Sequence, residues 1–459
     1  MPTALTYPGV YIEEIPSGVR TIAGVATSIT AFIGRAQRGT VDQPIRVQSF
    51  AAFDRTFGGL WVDSTLGYAV AQFFANGGSD ALIVRVASRA PSTVARATVG
   101  NMSLTAADAG GKGNQLTAAV SNAGGVNPAF FKLTIADHSV SPPAQTEIDN
   151  IDPADAQNRL ASQIVHLDQP IQPITTRPTN TQQPVPFTGG QDAPAAATLN
   201  RTNFTFVAAN EGAWGNNLLL RVEHVPTSAD PSGTLFNLKI RDAGANVNEQ
   251  FLNLSVDPAN ARFVARVLMQ QSNLVALPGT VPGTRPDAHA PLNPGDNPWD
   301  STHASTFSGG ADGPAIVDND IADPNLATDK KGLWALDQAD LFNLLCIPPL
   351  THDGGDIGAT TRTQATDYCT ARRALFIVDP LTAWNKPADL LGTNGVDGAT
   401  FGLARTGNAA LFFPYIVAPD PLRENQLGNF APCGAVAGVM TRTDANRGVW
   451  RRPPESTPP

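Results

Sequence analysis

Three short matches, in the same order and at nearly the same spacing, divide the middle of this 459-residue sequence into two copies of one unit. Gly113-Asn114-Gln115-Leu116 returns as Gly215-Asn216-Asn217-Leu218, 102 residues later. Phe131-Lys132-Leu133-Thr134-Ile135 returns as Phe236-Asn237-Leu238-Lys239-Ile240 after 105 residues, and Asp152-Pro153-Ala154 returns as Asp257-Pro258-Ala259 at the same offset. Each copy closes on a Gly-Gly marker, Phe187-Thr188-Gly189-Gly190 and Phe307-Ser308-Gly309-Gly310, now 120 apart, which leaves about 15 additional residues in a loop of the second copy. Collinear matches are the mark of duplication, and the alternation of apolar and polar residues within them is that of half-buried strands. The 41 glycines and 38 prolines favour many turns and short strands. The repeat places two β-rich domains at 99–195 and 202–315.

The flanks have a different texture. Residues 22–35 read as a buried strand. Ser49 can cap a short helix over Phe50–Phe57, with three phenylalanines on one face and Gly58-Gly59 ending it. Leu66, Ala69, Val70, Phe73 and Phe74 recur with helical spacing, Asp63 or Ser64 can cap the start, and Ala81–Val86 follows as a strand. After the repeat, an apolar run over Leu341–Ile347, a helical stretch near Gln364–Arg373, a strand over Ala374–Val378, a Pro414-interrupted strand over Leu411–Val417 and a helical Gly434–Arg442 restore the α/β pattern. The fold predicted is a discontinuous α/β core domain, in halves 22–98 and 320–450, with the β-rich pair inserted between them. Residues 1–21 hold too few apolar residues for a core and read as an extended N-terminal arm. About 20 extended residues reach roughly 66–72 Å, far enough to touch a neighbouring molecule. Residues 451–459, rich in proline, read as an irregular tail.

No chemistry stands out. The net charge of −9, with no Lys/Arg cluster, disfavours direct nucleic-acid binding. Residues 1–15 lack the basic and apolar regions of a signal peptide, and no apolar run approaches the roughly 20 residues that span a bilayer, so a soluble chain made in the cytoplasm is expected, with no membrane insertion. Cys346, Cys369 and Cys433 are odd in number and far apart, and are expected to be buried free thiols. The six histidines show no metal-ligand spacing. Gly110-Gly111-Lys112-Gly113 lacks the spacing of a phosphate loop and reads as a turn. No G-x-S-x-G elbow occurs. Trp61, Trp334 and Trp450 are read as core, Trp214 and Trp299 as the loop aromatics open to a ligand, and Arg372-Arg373 as partners of a helix C-terminal dipole. Catalytic, cofactor and metal residues are therefore none, and no enzyme is expected.

Both ends of the chain resemble the sheath subunits of contractile phage tails and of related contractile injection systems, including R-type pyocins and extracellular injection particles. The residues are Tyr7-Pro8-Gly9-Val10-Tyr11-Ile12-Glu13-Glu14, then Thr27–Arg38, Phe53–Gly59 and Phe73–Val86, in order. Late in the chain, Lys331–Leu336 with Leu341–Pro348, Ala374–Pro380 and Thr443–Trp450 look like the same family, for roughly 200 residues in all. The resemblance implies a core lining a helical sheath around a rigid inner tube, with 99–315 as outer decoration. It implies that residues 7–14 donate a strand to a neighbour's sheet, since strand addition needs main-chain bonds and little sequence, and a head-to-tail interface that does not close makes a filament. Glu13 and Glu14, read alone, are either an acidic recognition patch or a solvated pair.

The function implied is that of a virion structural protein or injection-particle subunit. It would polymerise with itself, in sixfold rings, and contract without a cofactor to drive the tube through a target envelope. The tail tube, baseplate and tail terminator proteins are the further partners implied, and the particle would assemble in the bacterial cytoplasm. Family members continue past the Arg-Gly-Val-Trp region, whereas this sequence stops within nine residues of Trp450. A truncated or accessory paralogue is thus one alternative. A surface- or carbohydrate-binding decoration protein acting through 99–315 is the other.

Overall fold

The computed structural model describes residues 28–448, apart from 126, 161–163, 168–173, 175, 353–354, 394 and 399. The first strand, β1 (Thr30–Gly34), is buried along its whole length, and β2 (Ile45–Val47) follows it. Helix α1 (Phe50–Phe57) starts where Ser49 Oγ accepts the Ala52 N–H and ends at Gly58, whose φ of +90° suits only glycine. Phe50, Phe53 and Phe57 stack along it at the helical spacing. In α2 (Leu66–Ala75) the terminal bond comes from Ser64, whose Oγ accepts the Leu66 N–H. Strand β3 (Ala81–Arg85) then pairs parallel with β1 and antiparallel with β2. Phe32, Phe53, Phe57 and Phe73 are fully buried in one cluster on this side of the sheet. At about 1.5–3 kcal/mol for each such side chain, they anchor α1 and α2 to it.

The next segment is mainly strand and turn. It contains β4 (Val94–Val99), β5 (Met102–Ala109), β6 (Leu116–Asn122), β7 (Phe131–Asp137), β8 (Ala144–Ile151), α3 (Ala156–Leu160), β9 (Val165–Leu167) and β10 (Val185–Pro186). The same series then recurs as β11 (Thr198–Arg201), β12 (Phe204–Ala208), β13 (Leu218–His224), β14 (Leu235–Asp242), β15 (Val247–Ser255), α4 (Val264–Gln271), β16 (Val275–Ala276) and β17 (Ser305–Thr306). Sheet orders β10-β6-β7-β8 and β4-β5-β9 in the first series match β17-β13-β14-β15 and β11-β12-β16 in the second. The repeated sequence markers sit at equivalent joints. Asn114 and Gly190 exchange two hydrogen bonds, as do Asn216 and Gly310. Gly113 lies against the Cβ atoms of Ala95 and Ala106, Gly215 against those of Ala197 and Ala208, so neither position has room for a side chain. Val94–Val99 and Thr198–Arg201 both belong to these sheets, so the strands of each series begin earlier than residues 99 and 202. The cause is main-chain bridging of Thr93 and Arg96 to Gln191 and Thr188, and of Ala195 and Thr198 to Ala311 and Ser308. Gly110–Gly113 is one of these turns, with Gly110 at φ +123°.

The chain then returns to the first sheet. After α5 (Asp318–Ala322), strand β18 (Leu344–Cys346) lies parallel to β1 on the side away from β3. Helix α6 (Ala359–Arg372), β19 (Leu375–Val378) and β20 (Ala409–Leu411) continue it, giving the order β2-β3-β1-β18-β19-β20 with only β2 antiparallel. One sheet is thus assembled from residues on both sides of the repeats. The strand read over Leu411–Val417 is two. Strand β20 ends at Leu411, Pro414 lies between, and β21 (Ile416–Asp420) pairs, among the described residues, only with β22 (Gln426–Phe430) in a separate hairpin. Proline cannot donate to a ladder, so the break falls there. Helix α7 (Cys433–Arg447) closes the fold against α2, where Gly434 and Gly438 meet the carbonyls of Ala69 and Phe73.

The second β series is bolted to the core. Arg38 Nη1 donates to Asp242 Oδ2 at 2.7 Å, with both side chains almost fully buried. Arg85, drawn down to about 10 by burial despite nearby Glu211, donates to the Ala36, Gly39 and Glu211 carbonyls. Cys346, Cys369 and Cys433 are buried free thiols.

Candidate functional site

The residues expected to join subunits, Tyr7, Pro8, Gly9, Val10, Tyr11, Ile12, Glu13 and Glu14, lie outside the described residues, as do Trp450 and the 451–459 tail. Among the described residues the molecule has unpaired sheet edges. A two-stranded hairpin has two of them, and among the described residues no further strand pairs with β21 or β22. Such a hairpin has marginal stability alone and presents unused N–H and C=O groups on each flank.

Its two faces differ. The Val417↔Asn429 and Pro419↔Leu427 pairs place these four side chains on one face, and all four are exposed, Leu427 by 73% and Val417 by 63%. The opposite face carries Ile416, Ala418, Asp420 and Phe430 toward the core, and Asp420 and Phe430 are buried. Tyr68 on α2 holds this inner face at both ends of the hairpin. Its hydroxyl donates to Asp420 Oδ1 at 2.9 Å, and its ring packs on Phe430 and His352. Burial first, then the hydrogen bond to Asp420, raises the Tyr68 hydroxyl well above the usual phenol range, so it stays a donor. Tyr415, just before β21, donates to the Pro380 carbonyl. The hairpin is therefore held against the core along its inner face, with an apolar face turned outward.

Behind the root, Asp379 at the end of β19 accepts the Cys433 N–H at the start of α7. Burial pushes this carboxyl up to about 7, against the lowering effect of its bonds to Cys433, with Asp356 pushing the same way as burial.

The remaining expected positions fall as follows. Trp214, read as a loop aromatic open to a ligand, is instead buried, its Nε1 donating to the Glu211 carbonyl where the second β series meets the core. Trp299 is half-buried, with the Arg241 guanidinium 6.0 Å from its ring. Trp61 is half-buried under the Arg35 guanidinium, and Trp334 is half-buried against the core. Arg372 lies in the last turn of α6 and donates to the Leu336 and Ala339 carbonyls and to Asp337, while Arg373 is the left-handed cap residue. His289 is held as a backbone partner of β13: its Nδ1 accepts the Val222 N–H, and burial with Arg201 and Arg221 pulls it down to about 4. Among the described residues no cluster of three or more His, Cys, Asp or Glu could hold a metal ion, and no helix is long and apolar enough to cross a membrane.

No protein-family profile matches the chain, and no curated protein matches it. Solved structures do. A sheath tail protein from Listeria innocua aligns at a TM-score of 0.40 and 9% identity, over 91% of this chain and 57% of that one. A sheath tail protein from Desulfitobacterium hafniense aligns at 0.38 and 13%, over 95% of this chain and 62% of that one. The contracted sheath complex of an extracellular contractile injection system aligns locally, at 0.15 and 32%, over 18% of this chain and 24% of that one. The chain spans about three fifths of the length of the two sheath tail proteins.

Proposed function

We propose that this chain is the structural subunit of a contractile tail sheath, that it polymerises helically around an inner tube, and that it contracts to drive the tube through a target envelope. The reading rests on the residues quoted above from both ends of the chain. The observation that carries it furthest is the β21–β22 hairpin, with edges unpaired among the described residues and an outward face of Val417, Pro419 and Leu427. The strand-like run Val10-Tyr11-Ile12 of another subunit's arm is the complement: main-chain bonds to a hairpin edge, and apolar side chains over its exposed face. Each molecule gives an arm and receives one, so the contact is heterologous and propagates. The two β-rich series form inserted, duplicated outer domains. Free energy for contraction resides in two packings of the same subunit, with the arm pairing kept in both. The inner tube, baseplate and terminator proteins are partners in this reading, and the particle's tail is its location.

The test is negative-stain electron microscopy with size-exclusion chromatography over a concentration series, on the chain and on a 1–18 deletion. Tubes or stacked rings from the chain, and folded monomers from the deletion, are expected. Assembly that survives the deletion would overturn the arm mechanism.

A further inference from the structure

A cavity of about 440 Å³ opens beside the end of the β21–β22 hairpin where Ile416 pairs with Phe430, and His352, Thr382, Trp384, Pro414, Tyr415 and Asn429 are among the residues that line it. That volume lies within the roughly 300–1,000 Å³ of ordinary ligand pockets. The cavity is continuous with the apolar surface described above. Asn429 stands on the outward face of the hairpin with Val417 and Leu427, while His352 packs edge-on to Phe430 of the inner face. The space thus begins where the outward face ends, and it runs in to the buried Trp384.

The lining selects a guest. Trp384, whose ring lies 4.8 Å from that of Phe401 between centroids, joins Tyr415 and Pro414 as apolar wall. Among the described residues no Asp, Glu, Lys or Arg lines the space, so a charged guest would leave water without a counter-charge. Hydrogen-bonding capacity is small. The Tyr415 hydroxyl already donates to the Pro380 carbonyl, and the Thr382 N–H and hydroxyl to Asp356. What is left is the Thr382 oxygen as an acceptor and the Asn429 amide, which makes no side-chain hydrogen bond among the described residues. Apolar walls with a few polar groups are the complement of a neutral phenol side chain.

The N-terminal arm carries one at a suitable place. Successive side chains of a strand point to opposite faces, so Val10 and Ile12 share one side and Tyr11 takes the other. A strand paired to the hairpin edge with Val10 and Ile12 extending the Val417 and Leu427 face turns Tyr11 to the core side, where the cavity lies. Tyr7 shares that side but stands beyond Pro8-Gly9, outside the strand-like run. Tyr11 precedes Ser28, the first described residue, by 17 positions, a reach of about 56–61 Å when extended.

We propose that this cavity receives the Tyr11 side chain of a second copy of the chain, so that the arm is recognised by side-chain fit as well as by main-chain pairing. The inference rests on the sheath reading above and adds what fixes the register of the incoming strand. A slip of one residue puts Val10 or Ile12 at the cavity and Tyr11 over the outward face.

The experiment places the photoreactive aromatic p-benzoylphenylalanine at position 11 of the full chain, irradiates it over a concentration series, separates the products by denaturing gel and maps the adducts by mass spectrometry. Expected is a dimer band in which position 11 of one chain is joined to segment 382–385 or 414–415 of the other. Light scattering supplies the second measurement. Tyr11→Ala, and Ala383→Trp, which fills the cavity from an exposed lining position, should each raise the concentration of half-assembly about tenfold, and Tyr11→Phe only about threefold. An adduct confined to the monomer band assigns the cavity to the chain's own arm and overturns the proposal. So does the absence of any adduct at the cavity, or a Tyr11→Ala variant that assembles like the parent. Tubes that form without the adduct leave the sheath reading standing, whereas an adduct between chains that build no tubes upholds the pocket and overturns that reading, so the two fail separately.

Discussion

Removing the charge of Asp242 should loosen the second β series from the core at a cost set by one buried guanidinium. The Arg38–Asp242 side chains are 7% and 4% exposed, and Arg38 Nη2 also donates to the Asp54 carbonyl. Asp242 Oδ1 has a second task, accepting the Gly244 and Ala245 N–H groups of the turn after β14. The two tasks are separable. Asp242→Asn keeps an acceptor for the turn and deletes the charge, which leaves Arg38 buried and unpaired; breaking a buried pair from one side costs about 3–5 kcal/mol. Asp242→Ala also orphans two turn N–H groups and should cost about 1–3 kcal/mol more. Arg38→Met should cost less than Asp242→Asn, because the surviving carboxylate keeps its turn donors. Combining Asp242→Asn with Arg38→Met removes both charges, keeps the acceptor for the turn and should recover most of the single-site loss. Urea denaturation followed by tryptophan fluorescence measures all of these, since Trp214 sits at this joint. Single losses below about 1 kcal/mol, or additive losses in the double variant, would refute the claim that the ion pair couples core to insert.

Three further outcomes follow from other joints. Asp379 is raised to about 7 in the folded chain against 3.8 unfolded, so the unfolded state gives up its proton first: the carboxyl costs no stability below about pH 4 and an increasing amount as pH rises to 7, levelling off above it. At pH 8 Asp379→Asn should therefore raise the melting temperature, by up to about 4 kcal/mol of stability, and the gain should vanish near pH 4 in the same melts. Gly434→Ala places a Cβ 2.0 Å from the Ala69 carbonyl oxygen, so α7 must separate from α2, and a loss of about 2 kcal/mol or more is expected in thermal melts. Leu427→Asp on the exposed hairpin face should leave the melting temperature within about 1 kcal/mol of the parent while abolishing tubes in electron microscopy, and retained tubes would remove the hairpin from the assembly reading.

The elements legible in the sequence are those in which one local rule acts without competition. Helix α1 follows from Ser49, three phenylalanines at helical spacing and Gly58, and β1, β3, β18 and β19 follow from short apolar runs bounded by turn residues. The repeat was legible because its markers are joints rather than surface. Gly113 and Gly215 abut two alanine Cβ atoms, Asn114 and Asn216 each tie down a Gly-Gly carbonyl and N–H, and Phe187 and Phe307 are buried. Even the drift in offset has a structural site: between 105 and 120 lies the stretch that includes 277–304, which in the second copy is pinned to β13 by Arg221 and His289.

What the sequence hid is the hairpin, and the reason is physical. Ile416-Val417-Ala418 continues the apolar texture of Leu411-Phe412-Phe413, so periodicity alone runs β20 into β21 across Pro414. The turn that makes the hairpin depends on Glu424 and Asn425 at φ +56° and +59°, and only the second of those residue types advertises a left-handed backbone. Trp214 was misjudged for a related reason. Its flanking glycines suggest a loop in solvent, but the same turn in the first copy carries Lys112, which is exposed, while the second copy's turn is pressed onto the core through Gln37 and Glu211. Equivalent positions in the two β series thus differ according to what each touches: an indole where the series meets the core, and an ammonium where it faces water. Val417 and Leu427 follow the opposite logic, since they are apolar where none of the described residues covers them, and that mismatch between side chain and surroundings is visible only once the strands are placed.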